Sequence, residues 1–229
     1  MKYTFYEIMV WYQSICMILS FLFSLRLINN NKVVHYMRYF YWYSIVGGLI
    51  AIFRITTKKY GFPSEDIMAV VSNYSVLFHF TFLSWFIHTL MPNRNEFKLS
   101  IFVFVTIFCI TLFFLILYPE KQQNSTSYAM GNIGLIIFCI IYFYQLFQTV
   151  PKLNLLKEPS FWIITGVFVC MSVSIPILSL HQFLRDENYI NPESRKIFSG
   201  LVYLAYGSFH LFLLKAYVCS TPQQKILSF

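Results

Sequence analysis

Charge is what this chain has least of. Charged residues fill 11% of its 229 positions, against roughly 25% in a soluble domain, so the material for a water-facing surface is missing. Acids are scarcest, nine Asp and Glu in all. None lies inside any of seven apolar stretches, at 8–27, 36–56, 67–91, 98–118, 128–150, 160–183 and 197–218. Carboxylate acid–base catalysis within those stretches is therefore excluded. No two of the five cysteines (Cys16, Cys109, Cys139, Cys170, Cys219) are spaced as Cys-x-x-Cys, so neither a disulfide framework nor a zinc–thiolate site is indicated. They read as small apolar packing residues. The chain shows no internal repeat, the usual mark of secondary transporters, and no connection long enough for a separate soluble domain.

What is present is apolar. Hydrophobic residues make up 58% of the chain and the mean hydropathy is +0.61. Each stretch approaches or exceeds the roughly 20 residues that carry a helix across a bilayer core. The expected fold is an all-α integral membrane protein, a single domain over 1–229 built as a seven-transmembrane-helix bundle. The first stretch carries no A-x-A-like cleavage site and runs the full width of a membrane, so it reads as a retained helix. Pro119 and Pro151 stand just past the fourth and fifth stretches, where a residue that cannot donate to the preceding turn is expected. Aromatics reach 21%. The run Tyr36, Tyr39, Phe40, Tyr41, Trp42, Tyr43 reads as a headgroup-level belt at the start of the second span.

Seven spans put the termini on opposite sides. Eight Lys/Arg and seven acids then fall on the N-terminal side, nine Lys/Arg and two acids on the other. By Lys/Arg count alone the positive-inside rule barely decides; the acids leave net charges of +1 and +7 on the two sides, and with that support the expectation is N-terminus outside and C-terminus in the cytoplasm. A basic cytoplasmic face beside anionic headgroups accounts for the net charge of +8 without nucleic acid. The expected location is a cell membrane, a bacterial inner membrane.

The third and seventh stretches are not uniformly apolar. Ser72, Ser75 and His79 recur at i, i+3 and i+7, one helix face. Ser199, Tyr203, Tyr206 and His210 recur at i, i+4, i+7 and i+11. At about 1.5 Å rise per residue, His79 and His210 reach matching depth near mid-membrane. Ionisable groups there are costly and turn towards the bundle interior. Candidate ligand-binding residues are Ser75, His79, Tyr203, Tyr206, His210 and Gln13; His79 and His210 are the candidate metal ligands. The competing reading is two neutral imidazoles that hydrogen-bond Tyr and Ser and hold helices together. Other polar positions are set to line the interior: Ser20 and Ser24 on the face of Gln13; Tyr144, Gln145 and Gln148 in the fifth stretch; Ser172, Pro176 and Ser179 in the sixth. Pro176 is expected to kink its helix. Gly47, Gly48, Gly200 and Gly207 are expected to allow close helix approach. His88 and His181 read as hydrogen-bonding residues near span ends.

Ser75-x-x-x-His79 with His210 resembles, over these few residues, the seven-helix zinc hydrolases of the adiponectin-receptor and alkaline-ceramidase type. That resemblance implies zinc hydrolysis, yet the acid and the paired histidines of the last helix are missing. A retinal protein needs a mid-membrane Lys, and Lys215 stands at the end of its span. The receptor signatures Asp-Arg-Tyr and Asn-Pro-x-x-Tyr are absent. The leading expectation is a non-enzymatic sensor, ligand-binding or partner-docking subunit using a polar intrabundle pocket. Its partners would be the bilayer and a second membrane protein or another copy of itself. The alternatives are an intramembrane metal- or haem-dependent enzyme using His79 and His210, and a facilitator of a neutral solute; no particular cofactor is indicated.

Overall fold

The computed structural model describes residues 4–28, 37–60, 65–91, 94–117, 125–149, 155–186 and 192–220, with backbone alone over 26–28, 50–60, 65–73, 94–97 and 181–186 and at 99, 125, 149, 192 and 195. All seven apolar stretches are helical: α1 Phe5–Ile28, α2 Met37–Tyr60, α3 Glu65–Thr89, α4 Arg94–Leu117, α5 Ser125–Thr149, α6 Pro159–Asp186 and α7 Pro192–Ser220. A single 3₁₀ turn, Leu155–Lys157, precedes α6. No strand occurs among the described residues. His35, Tyr36, Pro119 and Pro151 lie outside the described residues, as do the side chains of Ser72 and His181.

Helix starts follow local chemistry. Thr4 and Glu7 form a reciprocal capping box: the Glu7 amide donates to Thr4 Oγ1 at 3.4 Å, and the Thr4 amide donates to Glu7 Oε2 at 3.1 Å. Two of the free N–H groups at the start of α1 are thereby satisfied. α6 and α7 open on Pro159 and Pro192, where a missing N–H costs nothing and a fixed φ suits the first turn. The α6 helix runs unbroken through Pro176.

Five helices are long and apolar enough to cross a membrane: Phe5–Leu25, Ser100–Leu117, Thr126–Gln148, Pro159–Leu180 and Lys196–Ser220. α2 and α3, at 24 and 25 residues, match them in length. Exposed surface agrees with a multi-pass membrane protein. Trp42, Phe102, Ile116 and Phe147 are each about two-thirds exposed, and a water-soluble monomer rarely shows so much contiguous apolar surface.

The helices close into a ring in the order α2, α1, α7, α6, α5, α3, with α4 outside against α3 and α5. Only 17% of the α4 span is buried. The main core draws on α2, α3, α5, α6 and α7, with Phe40, Phe86, Phe138, Ile163, Phe209 and Tyr217 at its centre. The face of α1 turned inward is small and polar instead: Gln13, Ser14, Ser20 and Ser24 are all buried. Between α2 and α3 the ring closes through aromatic rings, with Phe40 against Phe86 at 4.4 Å and Tyr39 against Trp85 at 4.7 Å.

Glycines set how near the helices come. A methyl group on Gly166 of α6 would sit 2.6 Å from Phe212 Cβ of α7. One on Gly207 of α7 would run into the Tyr12 ring of α1 and the backbone of Gln13. Small residues at such seams let helix backbones approach where lipid gives little hydrophobic drive for association.

The two kinds of glycine contact should behave differently. Gly166→Ala is expected to lower stability by about 1–3 kcal/mol, the usual cost of overpacking. Gly47→Ala should cost much less, because its methyl meets the flexible tip of Met17 at 3.3 Å and His210 Cε1 at an ordinary 3.9 Å. Thermal unfolding in detergent measures both; equal losses would refute the rigid α6–α7 seam.

Candidate functional site

The polar faces of the helices meet in a chain of neutral hydrogen bonds. Tyr43 of α2 bonds His79 Nδ1 of α3 at 2.9 Å. Ser75, one turn earlier on α3, bonds the Tyr128 hydroxyl of α5 at 3.1 Å. Tyr206 of α7 and Asn132 of α5 face the same small space. These groups converge because α3 and α5 each carry polar residues one turn apart, Ser75/His79 and Tyr128/Asn132, on the faces that pack together.

Between them lies a small cavity of about 10 Å³, walled by Val76, His79, Phe80, Tyr128, Gly131, Asn132, Leu135, Met171 and Tyr206. That is close to the size that holds one water molecule. Asn132 is 3% exposed and its Nδ2 has no protein hydrogen-bond partner. A buried donor left unsatisfied costs about 1–3 kcal/mol, so this amide is the most strained polar group facing the cavity.

His210 is buried, 4% exposed, and its Nδ1 also lacks a protein partner. It packs beside Phe209 and opposite Gly47 of α2. Charges on His79 and His210 would act on each other, so the two rings share one region of the interior although α3 and α7 make no extended backbone contact. Tyr43 links them, bonded to His79 and 6.0 Å in ring-centroid distance from Phe209.

The six candidates thus divide. His79 and Tyr206 wall the cavity, and Ser75 bonds one of its walls. His210 does not wall it. Tyr203 turns to α1, edge-on to Tyr6 at 5.7 Å. Gln13 is buried on α1 where α7 passes closely at Gly207. Neither Tyr203 nor Gln13 walls the cavity. Among the described residues no three His, Cys, Asp or Glu side chains are grouped to hold a metal ion.

Several expectations need correction. The aromatic run on α2 is not one belt: Trp42 faces out, but Phe40, Tyr41 and Tyr43 are buried. Consecutive helical residues point about 100° apart, so such a run cannot share one environment. Ser172, Pro176 and Ser179 do not line the interior; Pro176 and Ser179 are exposed and Ser172 is half-buried. Ser174 is the buried serine there, donating to the Cys170 carbonyl at 2.7 Å. Of Tyr144, Gln145 and Gln148, only Gln145 turns inward. Sequence reading missed Tyr43, Tyr128, Asn132 and Tyr217. Tyr217 donates to the Phe40 carbonyl at 3.1 Å and accepts from the Ser44 hydroxyl at 2.7 Å, tying α7 to α2. The usable signal for the α5 pair was Tyr128-x-x-x-Asn132 flanking Gly131.

Outside this region, His88 bonds Ser100 of α4 at 2.6 Å. At one rim of the bundle Trp162 Nε1 donates to the Leu156 carbonyl at 2.9 Å, and Lys215 Nζ lies 5.6 Å from the Trp162 ring. That distance is within cation–π range.

Tyr43→Phe removes the α2–α3 hydrogen bond and leaves His79 Nδ1 without it. Stability should fall by about 1 kcal/mol, the scale of interhelical hydrogen bonds in membranes. In a double-mutant cycle with His79→Phe the two losses should couple; additive losses in thermal unfolding would show the bond to be idle.

The chain matches no protein-family model, no curated protein and no solved structure.

Proposed function

We propose that this is a seven-span protein of a cell membrane, a bacterial inner membrane, with its N-terminus outside and its C-terminus in the cytoplasm. We propose further that it works without catalysis, as a docking subunit for a second membrane polypeptide or a second copy of itself. A sensing role follows from docking, since a chain of short connections needs a partner to pass on any change.

One observation carries the reading. The cavity walled by His79 encloses about 10 Å³, too little for a substrate beside that histidine. The buried polar residues of the bundle are Ser, Thr, Asn, Gln, Tyr and His, with no carboxylate among the described residues. A hydrolytic zinc site draws on carboxylates to orient its ligands or assist water, and nothing here supplies that role. The polar interior then serves to fix the helices against one another. A small-molecule ligand would have to part α3 from α5, so docking is favoured over ligand capture.

The orientation is supported by the split of acids, seven on the N-terminal side and two on the other, which leaves the first near neutral and the second strongly basic. The rim holding Lys215, Trp162 and the 3₁₀ turn falls on the cytoplasmic side in this arrangement.

Two measurements test these statements. With the native cysteines replaced, Gln122→Cys should react with a membrane-impermeant maleimide in intact cells, and Leu153→Cys only after permeabilisation; the reverse pattern overturns the orientation. Native mass spectrometry of the protein released from lipid nanodiscs should show a complex of fixed ratio. A monomer at all concentrations overturns docking, and a monomer that retains zinc and hydrolyses lipid restores the enzymatic alternative.

A further inference from the structure

The cavity between α3, α5, α6 and α7 has three properties rarely found together by accident. It is near the size of one water molecule. It is walled by four polar side chains, His79, Tyr128, Asn132 and Tyr206, from three helices. One of these, Asn132, is 3% exposed and presents an amide nitrogen with no protein partner. Apolar cavities of this size stay dry, whereas a polar one holds water when two to four partners are in reach.

We propose that this cavity is a binding site for a single water molecule, which accepts a hydrogen bond from Asn132 Nδ2 and bonds one or more of His79, Tyr128 and Tyr206. The site belongs to the fold and does not depend on the docking reading. Its role is mechanical. Ser75 already bonds Tyr128 across α3 and α5. A water that joins Asn132 to Tyr128 and Tyr206 extends this link to α7 and makes one network over three helices. Loss or exchange of that water would loosen the three together, because members of a shared network do not act additively.

Gly131 offers a way to remove the water without touching any polar group. It walls the cavity, and a methyl group there would point at two other walls, 3.3 Å from Val76 Cγ2 and 3.9 Å from Phe80 Cβ. That is tight but free of backbone collision, so Gly131→Ala should fold with the cavity filled.

The experiment is a structure of the full chain in lipid nanodiscs, at a resolution that shows ordered waters, for the native protein and for Gly131→Ala. A solvent peak is expected in the native cavity within about 2.7–3.2 Å of Asn132 Nδ2, and none in the variant. A native cavity without a peak, or Asn132 Nδ2 bonded directly to a protein atom, overturns the proposal. Thermal unfolding gives an independent reading that needs no solvent density. Asn132→Leu alone should lower the midpoint, but added to Gly131→Ala it should lower it by less than half as much. Equal effects in both backgrounds would mean that no water joins the two positions, and would also overturn the proposal.

Discussion

Everything in this bundle depends on burying polarity without charge. In lipid the surroundings of a helix are as apolar as its neighbours, so hydrophobic burial gives little preference for one packing over another. Backbone groups are satisfied within each helix, and what remains to specify the arrangement is side-chain hydrogen bonding and the fit of surfaces. A carboxylate would bond more strongly, but its own burial would cost several kcal/mol. The chain instead uses pairs that are neutral from the outset. Several helix pairs are joined this way: Tyr43–His79 between α2 and α3, Ser75–Tyr128 between α3 and α5, His88–Ser100 between α3 and α4, Tyr142–Ser160 between α5 and α6, Ser44–Tyr217 between α2 and α7.

The same choice narrows the chemistry open to the interior. An imidazole becomes a metal ligand or a general base most readily when a carboxylate or carbonyl orients its other nitrogen. Here His79 spends Nδ1 on Tyr43, a partner of little acidity, and His210 presents an unpartnered Nδ1 to its buried surroundings. Such groups position helices well and move protons poorly. Among the described residues no buried carboxylate stands beside either histidine.

The helices were legible in the sequence because each is a long apolar run bounded by charge or proline, and that signal requires no knowledge of neighbours. Which face of each helix turns inward was only partly legible. Ser75 and His79 repeat at helical spacing, and Gln13, Ser20 and Ser24 do the same on α1; all but the half-buried Ser75 and His79 are fully buried. Where both faces carry similar residues the pattern fails. Trp42 and Tyr43 are adjacent aromatics in opposite environments, and serines of α6 lie on both its faces. Lipid and protein interior favour the same apolar residues, so composition alone does not separate an outward from an inward face. Tyr128 and Asn132 were missed for a related reason: two polar residues near a helix start read as an interfacial fringe until α3 is seen against them.

The glycines of α5 explain why the polar cavity sits where it does. Gly131 and Gly134 remove side chains from the face that meets α3, and a methyl on Gly134 would lie 2.7 Å from both Phe80 and Ile107. α3 and α4 can therefore both lean close against α5. Close approach brings Asn132, the residue next to Gly131, inside the bundle, where an isolated amide would be unfavourable. It also leaves a gap where Gly131 has no side chain and the shapes of Val76 and Phe80 do not fill it. Tight packing at Gly134 and incomplete packing at Gly131 are thus two results of one sequence feature. A larger residue at 131 would close the gap yet press on Val76, and a smaller apolar one at 132 would widen it and remove the amide. The pair Gly131–Asn132 is the local solution that keeps the helices close and still leaves the amide a place to bond.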